Sequence, residues 1–194
     1  MTASELYSDK IIVQSLIFIG YRGTGKTTVA QKIADRLGIP VFDSDSEIEL
    51  QAGKSIAEIF AQEGESAFRG REESVIAEIL SSSPPLVLAT GGGSVLREST
   101  RLRLRSSGRV IWLTAEPETI LRRITADAAT PTMRPNLTSL PMREEIIGVL
   151  EQRKPLYAET AHEIIDTDGQ TADEITENVF QSAAVSLDIA GRFR

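Results

Sequence analysis

Cysteine is absent from the 194 residues. That excludes disulfides, thiolate nucleophiles and cysteine-zinc centres together, and it fits a reducing compartment. Histidine occurs once and tryptophan once, so chemistry built on clustered imidazoles is excluded as well. Lysine and arginine form no run, and the net charge is -7. An acidic chain without a basic stripe is not expected to bind nucleic acid. No apolar run is long enough to span a bilayer. The best candidate, IIVQSLIFI, is short and carries Gln14 and Ser15, so no membrane partner is expected. The start, MTASELYSDK, lacks the basic n-region of a secretory signal. These absences describe a soluble cytoplasmic protein, for which a monomer is the expectation. Hydrophobic content of 41% and charged content of 25% suit one globular domain with a buried core.

What is present alternates between two periods. SLIFIG is an apolar, β-rich run ending in glycine. From Lys26 the spacing becomes helical, with Val29, Ala30, Ile33 and Leu37 on one face and Gly38 and Pro40 as the stop. PVFDSD reads as a second strand with acids at its end, and Ser46 to Ala52 as a helix closed by Gly53. SIAEIF and ESAFRGREESVIAEIL are helical, separated near Gly64. LVLAT and RVIWLTA are the third and fourth strands, with a helix from Glu98 to Arg105 between them. PETILRRI is helical. MREEIIGVLEQRKPLY is a helix expected to end at Pro155. HEIIDT is a fifth strand, and TADEITENVF the last clear helix. Residues 126–141 carry three prolines and little periodicity, so they read as a long mobile loop. Residues 1–9 read as a mobile leader, 10–180 as a single domain and 181–194 as a tail. Strands alternating with helices imply βαβ units and a mainly parallel sheet covered on both faces. Ligands of such sheets bind at the carboxyl ends of the strands.

At the end of the first strand, GYRGTGKT fits G-x-x-x-x-G-K-[ST] from Gly20 to Thr27, between a strand and a helix. In such a loop the backbone N–H groups of Gly23, Thr24, Gly25, Lys26, Thr27 and Thr28 point at phosphate oxygens, and the helix N-terminus adds favourable partial charge. Lys26 would reach the β- and γ-phosphates, and the Thr27 hydroxyl would ligand Mg²⁺. A glycine-rich turn without a ligand is a poor account of the complete motif in this context. The loop therefore holds a nucleoside triphosphate, but ATPases, GTPases and small-molecule kinases all share it. No N-K-x-D segment occurs, which argues against a GTPase. Such proteins place an acid at a strand end beside the metal, and DSD is the only strand end in the right half of the chain that supplies one. In extended backbone Asp43 and Asp45 face the same side. One would orient the metal's water shell and the other meet a second substrate. The alternative for Asp45 is that it merely caps the following helix, which loses weight because no other strand supplies the acid that a phosphate-loop site needs. Ser44, between them, would face away.

GYRGTGKTT, FDSD, FRGREE, TGGG, MRP and QRKPLY, in that order between about Ile12 and Phe180, together resemble the shikimate kinases. The resemblance implies a three-layer P-loop kinase fold, α/β, with a five-stranded parallel sheet flanked by helices, as in nucleoside monophosphate kinases, plus a mobile lid. It implies transfer of the γ-phosphoryl of ATP to the 3-hydroxyl of shikimate with Mg²⁺, in aromatic amino-acid biosynthesis. Carried over residue by residue, Asp45 would hold shikimate hydroxyls near the attacking oxygen, and Asp43 would support Mg²⁺ through water. Arg69 and Arg153 would grip the carboxylate. Gly91, Gly92 and Gly93 would bring backbone N–H groups to the substrate, Gly92 most directly. Arg134, in the lid, would close over the phosphates. Arg123 would lie against the adenine, with Arg122 its competitor.

The residue types agree with that chemistry. A hydroxylated carboxylate needs an acid, arginines that fork onto a carboxylate, and close backbone donors. Glu72, one turn after Arg69 on the same helix face, is placed to orient that arginine. The lid is longer before Arg134 than the resemblance leads one to expect. His162, outside every motif, reads as a strand-edge residue, and Trp112 as core. Two alternatives remain: a kinase for another hydroxylated acid such as gluconate, and a nucleotide-binding relative without catalysis.

Overall fold

The computed structural model describes residues 14–82, 85–126 and 141–191, with side chains through residue 182. The predicted lid, with Arg134, and the leader lie outside the described residues. Among those described, the strands are β1 (Ser15–Ile19), β2 (Val41–Asp43), β3 (Val87–Ala89), β4 (Gly108–Thr114) and β5 (Glu163–Asp166). They form one sheet in the order β2-β3-β1-β4-β5, with every pairing parallel. The helices are α1 (Lys26–Leu37), α2 (Ser44–Ala52), α3 (Ile56–Ser82), α4 (Glu98–Ser107), α5 (Pro117–Ala126), α6 (Met142–Thr160) and α7 (Ala172–Gly191).

Strand alternation divides the core into two layers. Ile17 and Ile19 of β1, Leu88 of β3, and Val110 and Trp112 of β4 face one way and pack with Ile59 and Ile76 of α3 and Tyr157 of α6. Leu16, Phe18, Val87, Ile111 and Leu113 face the other way, against Val29 and Ile33 of α1 and Val179 and Phe180 of α7. β1 has neighbours on both edges and helices over both faces, which is why SLIFI is apolar almost throughout. A third, smaller cluster of Tyr21, Ile120, Ile124, Ile146 and Val149 joins the loop after β1 to α5 and α6.

Two local expectations are corrected and a third is met. The helix after β2 begins at Ser44 rather than Ser46, because the Asp43 carboxylate accepts the N–H groups of Asp45 (3.0 Å) and Ser46 (3.3 Å). The cap is therefore Asp43, and Asp45 stands in the first turn. The predicted break near Gly64 is present, with φ 82° and ψ 171° inside α3. Pro155 does not end α6, which continues to Thr160. The lost backbone bond and the ring's clash with the preceding turn are overridden by anchoring beyond it: Tyr157 is fully buried and its ring lies 5.4 Å from that of Trp112.

The layering sets an expectation for stability. Ile17→Ala, in the central strand, should lower unfolding free energy by about 2–5 kcal/mol. Leu50→Ala, at a side chain 75% exposed on α2, should stay within about 0.5 kcal/mol. Urea denaturation of both variants checks this, and equal midpoints would refute the assignment of Ile17 to the load of the core.

Candidate active site

The carboxyl ends of β1, β2 and β3 open onto one edge of the sheet. The phosphate-loop motif follows β1 and turns into α1 at Gly25, whose φ of 90° and helix-capping place are suited to glycine. Lys26, the first residue of α1, is buried, and its Nζ donates to the Tyr21 carbonyl at 2.8 Å. The Thr24 hydroxyl donates to the same carbonyl at 2.8 Å. Thr27 faces β2 and donates its hydroxyl to Asp43 Oδ2 at 2.7 Å. The other oxygen of Asp43 caps α2, so one carboxylate fixes the start of two helices.

A cleft of about 500 Å³ lies over this loop, lined by Gly25, Lys26, Thr27, Asp43, Asp45 and Arg123. Arg123 donates to the carbonyl of Gly23 (3.3 Å) and to the hydroxyl and carbonyl of Thr167 (2.9 and 2.8 Å). Arg122 is exposed and, among the described residues, reaches Thr119. Of the two competing arginines, the structure brings Arg123 to the cleft. Thr28 lines the same cleft.

A second cleft, of about 410 Å³, lies beside the first, walled by Asp45, Arg69, Glu72, Gly92, Gly93 and Arg153 among others. Its floor is the TGGG segment after β3. A Cβ on Gly93 would collide with the Arg69 guanidinium, and one on Gly91 would lie 2.5 Å from Asp45 Oδ1. A side chain at either glycine would displace the Arg69 guanidinium or the Asp45 carboxylate from where it lies against the backbone. Arg69 and Arg153 are each only 9% exposed. The Nη1 of Arg69 donates to Glu72 Oε2 at 2.7 Å, while Nε and Nη2 reach Glu65 at 3.4 and 3.3 Å. Glu72, predicted to face Arg69, thus holds one of its guanidinium nitrogens. Burial pushes its carboxyl above the usual range, against the opposing pull of Arg69.

Arg153 donates to the Gly92 carbonyl at 2.9 Å, and the Tyr157 hydroxyl donates to the same oxygen at 2.6 Å. Burial raises the Tyr157 hydroxyl to about 12, so it stays protonated as a donor. The sequence reading put the Gly92 N–H to use; the structure engages its carbonyl, which ties the glycine floor to α6. Ser44 is also corrected. It does not face away: it is fully buried and accepts the Gly91 N–H on its hydroxyl at 2.9 Å. Tyr157 and Ser44 were missed because their partners lie 65 and 47 residues away. QRKPLY and DSD contained both residues, but nothing in those strings names a partner.

Of the residues singled out from the sequence, Asp45 is common to both clefts, together with Arg22 and Ile56. Trp112 is core, and His162 accepts the Val110 N–H on Nδ1 at 3.0 Å beside β5. Among the described residues, no helix is long and apolar enough to cross a membrane.

Comparison with known proteins agrees with this geometry. The family model for shikimate kinase matches residues 22–184. A shikimate kinase of Rhodopirellula baltica is 43% identical over 180 residues, 93% of this chain and 96% of the relative. The structure of a shikimate kinase from Acinetobacter baumannii in complex with shikimate superposes with a TM-score of 0.84 at 34% identity, covering 94% of this chain and 98% of that one. A gluconokinase from Sinorhizobium meliloti, at 17% identity and a TM-score of 0.56 over 91% of this chain and 95% of its own, shares the fold alone. With the family model spanning most of its length and relatives this similar, the chain belongs to the shikimate kinase family.

Proposed function

We propose that the chain transfers the γ-phosphoryl group of ATP to the 3-hydroxyl of shikimate, giving shikimate 3-phosphate and ADP. The observation that carries this reading is the shared wall. Asp45 belongs at once to the cleft over the phosphate loop and to the cleft lined by Arg69 and Arg153. A donor in the first and a hydroxylated acid in the second meet at that carboxylate.

The phosphate-loop backbone and Lys26 hold the triphosphate. Lys26 leaves the Tyr21 carbonyl when phosphate oxygens offer a stronger, charged partner. Arg123 flanks the base. In the acceptor cleft Arg153 and Arg69 take the shikimate carboxylate. Glu65 is 62% exposed at its side chain and holds the Nε–Nη2 edge of Arg69 only loosely, so an incoming carboxylate can replace it. The Gly91–Gly93 backbone lies against the ring, and Asp45 receives its hydroxyls and aims the 3-oxygen at the phosphorus. Arg134, in the lid, closes over the phosphates and helps exclude water.

Oxygen donors suit Mg²⁺, and the Thr27 hydroxyl and Asp43 carboxylate, in contact at the cleft wall, fit that ion. Thr27 would hold it directly and Asp43 through water. When bound, Mg²⁺ neutralises charge on the phosphate oxygens. We place the enzyme in the cytoplasm as a monomer acting on two small molecules, without nucleic acid or membrane.

Shikimate-dependent ADP release is the direct test. Rapid release with shikimate and background release with gluconate are expected, and the reverse would make the chain a gluconate kinase. ATP binding without product from either acceptor would revive the non-catalytic reading. Asp45→Asn should abolish turnover, by about 10³-fold or more, while ATP affinity measured by calorimetry is retained. Normal turnover in that variant would sink the role of Asp45. Arg153→Lys keeps the charge but loses the fork. It should raise KM for shikimate about tenfold or more with KM for ATP little changed; equal changes in both would count against the assignment.

A further inference from the structure

Arg22 occupies the third position of the phosphate loop, a place the motif leaves free. Its side chain nevertheless lines both clefts, together with Asp45 and Ile56. It is only 10% exposed and donates from Nη2 to Glu145 Oε1 at 3.0 Å; the Glu145 side chain is fully buried. Its guanidinium carbon lies 5.9 Å from the centre of the Tyr21 ring. The Nε–H is buried and has no hydrogen-bond partner among the described residues. An arginine clamped at one nitrogen, with another buried donor unsatisfied, sits where donor and acceptor sites meet. Glu145 belongs to the first turn of α6, and Arg153 lies two turns further along the same helix.

We propose that Arg22 is a catalytic residue of the transfer, held by Glu145 so that its guanidinium meets the phosphoryl group in passage. This rests on the phosphoryl-transfer reading above. In the reaction the bond between the γ-phosphorus and the β–γ bridging oxygen breaks, its electron pair leaving on ADP. A bond forms between that phosphorus and the shikimate 3-oxygen, whose proton departs toward Asp45. Negative charge on the equatorial oxygens moves across the boundary between the clefts. A fixed guanidinium at that boundary stabilises it most at mid-transfer, which raises kcat rather than ground-state affinity. Glu145 is a positioning residue. It touches neither cleft and acts by fixing one nitrogen of Arg22.

The competing account is a structural ion pair tying the phosphate loop to α6. Breaking such a pair on one side leaves a buried charge and destabilises the fold, whereas replacing both partners with apolar groups is often neutral. That difference makes the test. Arg22→Met should lower kcat about 10²-fold with KM for both substrates moving less than about threefold, and should also lower Tm. The double variant Arg22→Met, Glu145→Met, which removes both members of the pair, should keep the low kcat whatever its Tm. Recovery of kcat in it would overturn the proposal. Should either Met variant not fold, Arg22→Lys preserves the charge facing Glu145 but loses the forked donors. It should lower kcat about tenfold at unchanged Tm, and an unchanged kcat would overturn the proposal equally. The unsubstituted chain is assayed in parallel. Its failure to release ADP with shikimate would remove the function and this proposal together, whereas normal release beside a fully active double variant would remove this proposal alone.

Discussion

One carboxylate organises the edge of the sheet where the clefts lie. Asp43 ends β2, caps α2 with one oxygen and receives the Thr27 hydroxyl of α1 with the other. The phosphate loop and the first turn of α2 are therefore held at a fixed separation by a single side chain. Asp45 is two residues on, with its N–H bonded to that same carboxylate, so its position relative to Lys26 and Thr27 is not left to a flexible loop. The Ser44 hydroxyl between them receives the Gly91 N–H and adds the end of β3 to the assembly. Three strand ends are thus coupled through three consecutive residues, DSD. The helical turn that this coupling needs explains why Ser44 points inward, where an extended strand would have turned it out.

The second cleft is built on the opposite strategy, charges held inside the protein. Arg69, Glu72 and Arg153 are all at least nine-tenths buried. Desolvating each is unfavourable unless its hydrogen bonds are supplied. Glu72 supplies Arg69, and the Gly92 carbonyl supplies Arg153 with help from Tyr157. These partners fix the planes of both guanidinium groups in the cleft wall, so that any ligand they took would be spared the ordering of two long side chains. Burial also raises the Glu72 carboxyl against the pull of Arg69. The pair is best understood as a device for orientation, since buried ion pairs add little stability for their own sake.

Much of this was legible in the sequence, for a physical reason. The phosphate loop, the glycine floor and the arginines sit in short contiguous strings whose backbone needs are local, and the strand periods follow from burial on both faces of β1. The element order, the parallel sheet and the break at Gly64 were readable on those grounds. What escaped reading depends on contacts between distant parts of the chain. Pro155 inside α6 is tolerated because Tyr157, one half-turn on, is pinned against Trp112 and Gly92. Ser44 looked incidental because its partner belongs to another strand end. Arg22 occupied a free position of the motif, and its counter-charge lies 123 residues away. Local propensity and spacing carry no information about such pairings.

The charge balance of the chain bears on how its ligands arrive. ATP and shikimate are anions, yet the protein carries a net charge of -7, so long-range attraction to the body does not draw them in. At physiological ionic strength fields fade within about 8 Å, and what an approaching anion meets is the local lining. In each cleft that lining sets three cations against three acids: Arg22, Lys26 and Arg123 beside Asp43, Asp45 and Glu49 in one, Arg22, Arg69 and Arg153 beside Asp45, Glu65 and Glu72 in the other. Among those acids, Asp43 caps α2 and Glu72 holds Arg69, so their charge is already engaged within the protein. With charge so balanced, discrimination between anions there would be a short-range matter of forked guanidinium geometry and backbone donors.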